Sequence, residues 1–493
     1  MMARLTILFV AGAALAGAAF LRNDLHSVRR DLGLAPRWVE RTGGSAAEDL
    51  GARWVVLSSA ALGVLRPLAI DFLWLRAAFL QADGSFFEAE ALSRLITRLE
   101  PRLPDVWAFV AHNLAYNIPP SFPPRERYTW VLRGLRLLRD EGLVFNPRSA
   151  AIHFQLAFTY RHKIGLDLDE AGRFYRAELA DTFEAGNGEP PADQALLEAW
   201  RLEPDRVKRL EAKYGAVLDF RVAESHALYW AERGLELAGP DVERWRMNLL
   251  RGEVEGACWQ LFNGGRPIKA PGGILRAFLP DLRFAGAVEE LLDARAGRGA
   301  PDSDELRAEF WRRRVLYVFL FEGAEPARAS LARAEAFLRT GGAALEDILA
   351  ASILAAGGER PPLEVISGLL DASVLLEIVG ESSLSTGFRA LANLRYESLG
   401  EEAGGRIEGP FEALFRAAVL RRAAAWRADA RTRSLLERSR LLTEVLELAG
   451  PEPKVSLPPP GDLLFELEVL DPLHPDNAPS APLSPGREAI PPR

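Results

Sequence analysis

Residues 71–101 constrain the fold of this chain most strongly, and their sequence is DFLWLRAAFLQADGSFFEAEALSRLITRLEP. Two sets of apolar residues fall at helical spacing on either side of a Gly-Ser turn: Trp74, Ala77 and Leu80 before it, and Phe86, Ala89, Leu92 and Ile96 after it. This pattern predicts two helices folded back on each other, with Gly84 in the turn and Pro101 ending the second helix. One such hairpin cannot bury its apolar face alone, so we expect further hairpins to stack beside it.

Composition favours helix along the whole chain. The 493 residues are 48% apolar, which is enough for two or three ordinary domains or for one long repeat array. Leu, Ala, Arg and Glu dominate, whereas Val, Ile and Thr are sparser, and no long stretch alternates apolar with polar residues. We therefore predict an all-α fold.

The hairpin matches a known repeat at seven positions: Trp74, Ala77, Gly84, Phe86, Glu88, Ala89 and Pro101. On these residues the segment resembles a tetratricopeptide repeat, and looser matches extend the resemblance to about residue 240. The resemblance implies a right-handed α-solenoid of stacked antiparallel helix hairpins that binds other proteins. The runs 73–77, 116–118 and 162–165 are also similar to bacterial membrane-anchored helical-repeat proteins of unknown function, which implies no active site.

An uncharged apolar run at 5–21 lies between Arg4 and Arg22. Its length is near the lower limit for a bilayer-spanning helix, which needs about 17 to 25 residues. The run fits an uncleaved transmembrane anchor, and its basic start and small residues also fit a cleaved signal peptide. A third interpretation is the first helix of a soluble domain.

Two features of the sequence give opposite predictions for the side of the membrane on which the body of the protein lies. Counting Lys and Arg alone would place the body in the cytoplasm, because more of them follow the run than precede it. A very short N-terminus favours a signal anchor, so we predict a single-pass protein of the bacterial inner membrane with its body on the periplasmic side. A second apolar stretch at 54–65 is followed closely by Asp71 and Arg76, which favours a buried helix over a second span.

Composition shifts divide the chain into six parts. We predict a signal anchor or signal peptide at 1–22, a linker at 23–49 and a tetratricopeptide-like array at 50–263. A Gly- and Pro-rich connecting loop region follows at 264–301, and a second helical array at 302–449. The last part, 450–493, is rich in Pro and is predicted to be disordered, except that 464–470 has the composition of a short strand or docking segment.

Aromatic and polar residues of the second and third repeat units are the candidate partner-binding residues. Trp107 and Trp130 fall on apolar stripes and are predicted to be core residues. His112, Tyr116 and Asn117 lie beside those stripes, where a peptide-binding groove would expose them. We add His162 to this set, although together with Lys163 it is also placed to stabilise a helix C-terminus.

His153, His162, Asp167 and Asp169 are close in sequence and are of the residue types that bind metal ions. A metal ion needs its ligands at one point, and the two histidines are nine residues apart, near opposite faces of a continuous helix. The aspartates are better explained as helix caps. We therefore predict no metal and no cofactor.

Charge, cysteine content and motifs exclude several classes of protein. The formal net charge of −8 argues against a nucleic-acid partner, which would favour a basic stripe. The one cysteine, Cys258, excludes a disulfide framework within the chain. No phosphate loop, Gly-x-Ser-x-Gly, His-Glu-x-x-His or Cys-x-x-Cys motif is present, which disfavours an enzyme.

Three functions follow from these observations. The first is a membrane-tethered helical-repeat scaffold that binds a protein or peptide partner in a bacterial envelope, with the N-terminal helix as its membrane contact. The second is a structural subunit of a membrane secretion, pilus or export assembly. The third is an enzyme with an all-helical active-site cavity, which would show converging polar groups in a deep pocket.

Overall fold

Helices make up most of the structure, which is a computed structural model describing residues 66–166, 169–184, 194–240, 242–269, 276–338, 342–403, 410–428, 457 and 468–470. The predicted all-α class is confirmed, with one small sheet added. The α-helices in chain order are α1 (Arg66–Ala82), α2 (Phe86–Leu99), α3 (Pro104–His112), α4 (Pro124–Arg136), α5 (Leu143–Phe145), α6 (Ala150–Phe158), α7 (Gly172–Phe183), α8 (Gln194–Ala199), α9 (Pro204–Tyr214), α10 (Ala223–Leu237), α11 (Arg244–Gly264), α12 (Ala285–Gly297), α13 (Ser303–Glu322), α14 (Ala324–Leu338), α15 (Leu345–Gly357), α16 (Pro362–Ile378), α17 (Ser382–Ala403) and α18 (Phe411–Ala428).

The first hairpin forms as its sequence predicts. α1 and α2 pack against each other, with Ala77 and Ala89 buried between them. Gly84 adopts φ +77° in the turn, a conformation that glycine reaches without the steric cost a side chain would add. The small alanines let the two helices approach closely, and Ile96 completes the buried stripe of α2.

Three helices of the N-terminal half continue into π-helical turns. These turns are Asn113–Asn117 after α3, Leu137–Gly142 after α4 and Thr159–Gly165 after α6. A π-turn inserts an extra residue into each hydrogen-bonded loop, so it rotates the side chains that follow it relative to the α-helical period. The residues at the ends of α3 and α6 therefore face directions that an uninterrupted helix would not give them.

α6 is central to the N-terminal half. It packs against α3, which precedes it, and against α10 and α11, which follow much later in the chain. A connected network of buried apolar side chains runs from Trp107 to Ala423. The helices of both halves therefore share a continuous core.

The C-terminal half is built from packed consecutive helices. α13 packs on α14 across a turn in which Gly323 adopts φ +91°, and α16 packs on α17. α17 also packs against α13, and α18 against α16. The helical array predicted at 302–449 is described only as far as Ala428.

The segment 264–301 differs from the connecting loop region expected of it. It contains β1 (Arg266–Lys269), β2 (Arg276–Leu279), a 3-10 turn at Leu282–Phe284 and helix α12. β1 pairs with β2, and β2 pairs with β3 (Glu468–Leu470), both in antiparallel register. The strand predicted within 464–470 thus completes a sheet that begins about two hundred residues earlier.

Membrane contacts are predicted for parts of the chain that lie outside the described residues. Within the described ranges, none of the helices combines the length and the apolar character that a bilayer crossing needs. The segments outside the described residues include the apolar runs 5–21 and 54–65, the linker at 23–49 and most of the tail at 450–493.

Candidate functional site

Two of the predicted partner-binding residues stack on each other at the end of α3. The rings of His112 and Tyr116 are nearly parallel, with centroids 4.3 Å apart and planes at 11°. The spacing of four residues places both on one side of the helix as it enters its π-turn. Both side chains are half-buried, so one edge of each ring faces solvent.

A second row of rings follows α6 into its π-turn. Phe154 stacks on Phe158 at 5.6 Å, and Phe158 stacks on His162 at 4.6 Å. All three are half-buried. Because α3 packs against α6, the two rows meet: Tyr116 contacts Phe158 and His162, each with centroids 5.9 Å apart. We call the five residues His112, Tyr116, Phe154, Phe158 and His162 the aromatic ladder.

Polar contacts fix the ladder in place. The Tyr116 hydroxyl lies 3.3 Å from Nδ1 of His162, and Nε2 of Gln155 lies 3.4 Å from Nδ1 of His112. Gln155 also donates to the Thr159 hydroxyl at 3.1 Å. These contacts hold the rings in one arrangement, and a pre-organised surface has less side-chain freedom to lose on binding.

Asn117 lies at the exposed edge of this surface. Its amide donates to Oδ1 of Asn113 at 2.7 Å, and Asn113 in turn donates to Oε1 of Gln81 on α1 at 3.0 Å. This amide chain joins the first hairpin to the end of α3. Asn117 itself is exposed to solvent.

An ion pair supports the ladder from the side of α11. Arg161 donates to both oxygens of Glu253, at 2.7 and 3.0 Å, in a fork that fixes the guanidinium plane. Gly256 lies directly against this guanidinium, because a Cβ built there would be 3.1 Å from it. Arg161, which directly precedes His162, is thereby held against α11, although Glu253 is 92 residues further along the chain.

A second anchor holds the other side of the π-turn. The Asp169 carboxylate accepts bonds from Lys163 Nζ at 2.5 Å, from Arg127 at 3.1 Å and from the Tyr175 hydroxyl at 3.2 Å. It also accepts from the backbone N–H of Ala171, so the predicted capping role is shared with a side-chain network. Its partners lower the pKa of Asp169 despite its burial.

The ladder is uncharged near neutral pH. Burial lowers the pKa of His112, and burial together with the adjacent Arg161 lowers the pKa of His162. Burial raises the pKa of Tyr116, and the Glu253 carboxylate raises it further. The two imidazoles are therefore neutral and the phenol protonated, which leaves a surface of aromatic faces with hydrogen-bonding edges.

Trp107, Trp130 and His153, the other candidates from the sequence, lie in the core and not in the ladder. Trp107 and Trp130 are 1% and 2% exposed, which places them in the core as predicted. His153 is fully buried, with Nδ1 bonded to the Ser149 carbonyl at 2.8 Å, and so lies apart from His162. In the described residues no three side chains of His, Cys, Asp or Glu converge as metal ligands. Asp167 lies outside the described residues.

Phe154 and Phe158 were missed by the sequence-based selection. Their signal is the spacing of Phe154, Phe158 and His162 at four-residue intervals, which marks one face of a helix. Ile152 and Leu156, on the same helix, are fully buried. α6 thus has a buried apolar face and a half-exposed aromatic face.

The chain was compared with protein-family models, with curated proteins and with solved structures, and none of the three comparisons finds a match.

Proposed function

We propose that this chain is a membrane-tethered helical-repeat scaffold of a bacterial envelope that binds an extended segment of a partner protein across the aromatic ladder. One observation carries the proposal: five aromatic or imidazole rings from two neighbouring helices form a continuous, half-exposed, uncharged surface. Rigid rings provide contact area with little loss of side-chain freedom, and they are therefore preferred anchors at protein interfaces.

The polar groups beside the rings suit a peptide backbone. An extended segment presents carbonyl and N–H groups that must keep their hydrogen bonds on binding. Asn117 is exposed and supplies a carboxamide at the edge of the aromatic surface, and the half-buried imidazoles of His112 and His162 lie beside it. The neutral state of both imidazoles favours a partner segment that is itself largely uncharged at the contact.

The arrangement of helices supports a solenoid as the frame of this surface. α6 packs against both α3 and α10, α4 packs against α3, α11 packs against α10, and α7 packs against the π-turn that follows α6. A right-handed stack of this kind would present the successive first helices on one face. The apolar run at 5–21 would tether the body on the periplasmic side, and the tail would act as a flexible docking arm.

The experiment is a peptide-display selection on the full-length chain, followed by affinity measurements on selected peptides. We expect Phe158→Ala and His162→Ala each to weaken binding by tenfold or more, which corresponds to about 1.4 kcal/mol. Phe72→Ala is the matched control, because Phe72 is a 67% exposed aromatic on α1 outside the ladder. Peptides that bind the ladder variants as tightly as the wild type would contradict the proposal.

A further inference from the structure

A second candidate site lies in a groove between α9, α10 and α11, away from the ladder. The cavity has a volume of about 470 Å³, within the range of about 300 to 1,000 Å³ of small-ligand pockets. Four cationic and two anionic side chains line it: Arg206, Arg209, Lys213, Arg251, Glu232 and Glu236. The lining therefore has two positive charges in excess.

Both carboxylates of the groove are already neutralised within it. Glu232 accepts a hydrogen bond from Lys213 Nζ at 2.7 Å and another from the Tyr214 hydroxyl. Glu236 accepts from Nη1 of Arg206, whose side chain is buried beside it. The excess positive charge is consequently located on the two remaining cations.

Those two cations are Arg209 of α9 and Arg251 of α11, and both are exposed. Arg251 donates to Oδ1 of Asn248 at 3.0 Å, which is a neutral acceptor. Within the described part of the chain, neither guanidinium has a carboxylate at ion-pair distance. Two planar forks from two helices that line one groove are suited to two separate planar anions.

The wall of the groove between the charges is apolar. Leu210 is 6% exposed, and Leu235 and Met247 are half-buried beside it. A ligand that carried charge alone would leave this surface in contact with water, whereas one with an aliphatic group between two acids would cover it. Methionine adapts readily to the shape of such a group.

We propose that this groove binds an acidic peptide segment, with two carboxylates on Arg209 and Arg251 and an intervening aliphatic side chain on Leu210, Leu235 and Met247. Each guanidinium donates two parallel N–H bonds to one carboxylate. The site stands independently of the ladder, because the two surfaces lie on different helices and use different chemistry. The binding is electrostatic in part, so it weakens as salt increases.

The test uses the full-length chain and a fluorescein-labelled Glu-Leu-Glu tripeptide, followed by fluorescence anisotropy. We expect saturable binding that weakens when salt is raised, and no saturable binding of the neutral Gln-Leu-Gln peptide. The double substitution Arg209→Gln with Arg251→Gln is expected to weaken binding at least tenfold. Lys208→Gln with Arg244→Gln removes the same charge from exposed positions of the same two helices outside the groove, and it should leave affinity within twofold.

Three results would overturn the proposal. Equal losses in the two double variants would show a general charge effect, and equal binding of Gln-Leu-Gln would show that the carboxylates are not recognised. Displacement of the tripeptide by inorganic phosphate at equal concentration would show a plain anion site with no role for the apolar wall. All four substitutions are at exposed positions, so far-ultraviolet circular dichroism should show wild-type helix content in every variant.

Discussion

The hydroxyl of Tyr116 lies 3.3 Å from Nδ1 of His162, although 46 residues separate the two along the chain. Each residue sits in a π-helical turn, one after α3 and the other after α6. Such turns are frequent at functional positions, because they aim side chains away from the regular helical face at the cost of poorer backbone geometry. The contact therefore joins two irregular turns into one surface.

Two substitutions at Tyr116 distinguish the stability contributed by its hydroxyl hydrogen bond from that contributed by the packing of its ring. We expect Tyr116→Phe to cost about 1 kcal/mol of folding stability, because one hydrogen bond is lost while both stacking contacts remain. Tyr116→Ala should cost about 3 kcal/mol, since the ring also packs on Phe158 and His112. Urea unfolding measures both values. Equal costs for the two variants would show that the ring contributes nothing beyond its hydroxyl.

Acid should destabilise the protein through His153. Burial lowers its pKa from 6.5 to about 4, so the unfolded chain binds a proton more readily than the folded one. The stability contribution is complete above pH 6.5 and is lost as pH falls from 6.5 toward 4, by about 2 kcal/mol at pH 5. His226, whose pKa burial lowers to about 3, acts in the same direction.

The measurement is urea unfolding at pH 7.5 and pH 5, for the wild type and for His153→Asn. The variant removes one titrating group, so its unfolding free energy should change less between the two pH values, even if it starts lower. A variant that loses as much stability as the wild type on acidification would assign the effect to other groups.

Gly387 marks the closest approach of α17 to α13. A Cβ at this position would lie 2.8 Å from the backbone of Leu320, which has no flexible end to move aside. We expect Gly387→Ala to destabilise the fold by about 1 to 3 kcal/mol through overpacking. Gly252 is the control, because it lies within α11 with nothing within 4 Å of its Cβ position, and Gly252→Ala should stabilise by up to about 1 kcal/mol. In thermal denaturation, we expect the melting temperature to fall for Gly387→Ala and to rise for Gly252→Ala, each relative to the wild type.

The buried pair Asp371–Arg422 fixes α18 against α16. Nε of Arg422 donates to Oδ1 of Asp371 at 3.2 Å, and the two residues are 8% and 2% exposed. Asp371→Leu should cost about 3 to 5 kcal/mol, because it removes the carboxylate to which the buried Arg422 guanidinium donates. Adding Arg422→Met should restore most of that loss. Chemical denaturation of the single and double variants gives the coupling free energy between the two residues. A double variant no more stable than Asp371→Leu alone would contradict this account.

Much of the helical fold can be predicted from the sequence, because its signals are local. The Gly84 turn and the apolar stripes on either side of it place α1 and α2 correctly. The strand pair β1–β2 could not be predicted in the same way. Each strand has four residues, three of them charged or Pro in β1, and the Gly- and Pro-rich segment between them is typical of a loop.

The candidate site was predicted in part, for a related reason. His112, Tyr116, Asn117 and His162 were selected as polar or aromatic residues beside apolar stripes, and the structure brings Tyr116 into contact with His112 and His162. The π-turns rotate these residues relative to an ideal helix, and no single-sequence pattern gives the position of such a turn. The two supporting ion pairs at Glu253 and Asp169 join distant segments, so only the assembled structure shows them.

The pairing of β3 with β2 has a consequence for how the chain matures. Translation proceeds from the N-terminus, so β1 and β2 emerge long before the strand at Glu468–Leu470 that covers the second edge of β2. Until then the nascent polypeptide carries open backbone donors and acceptors on that edge, where a chaperone or a neighbouring nascent chain can attach. A product terminated before residue 468 would lack this strand, so that edge of β2 would stay unpaired in it.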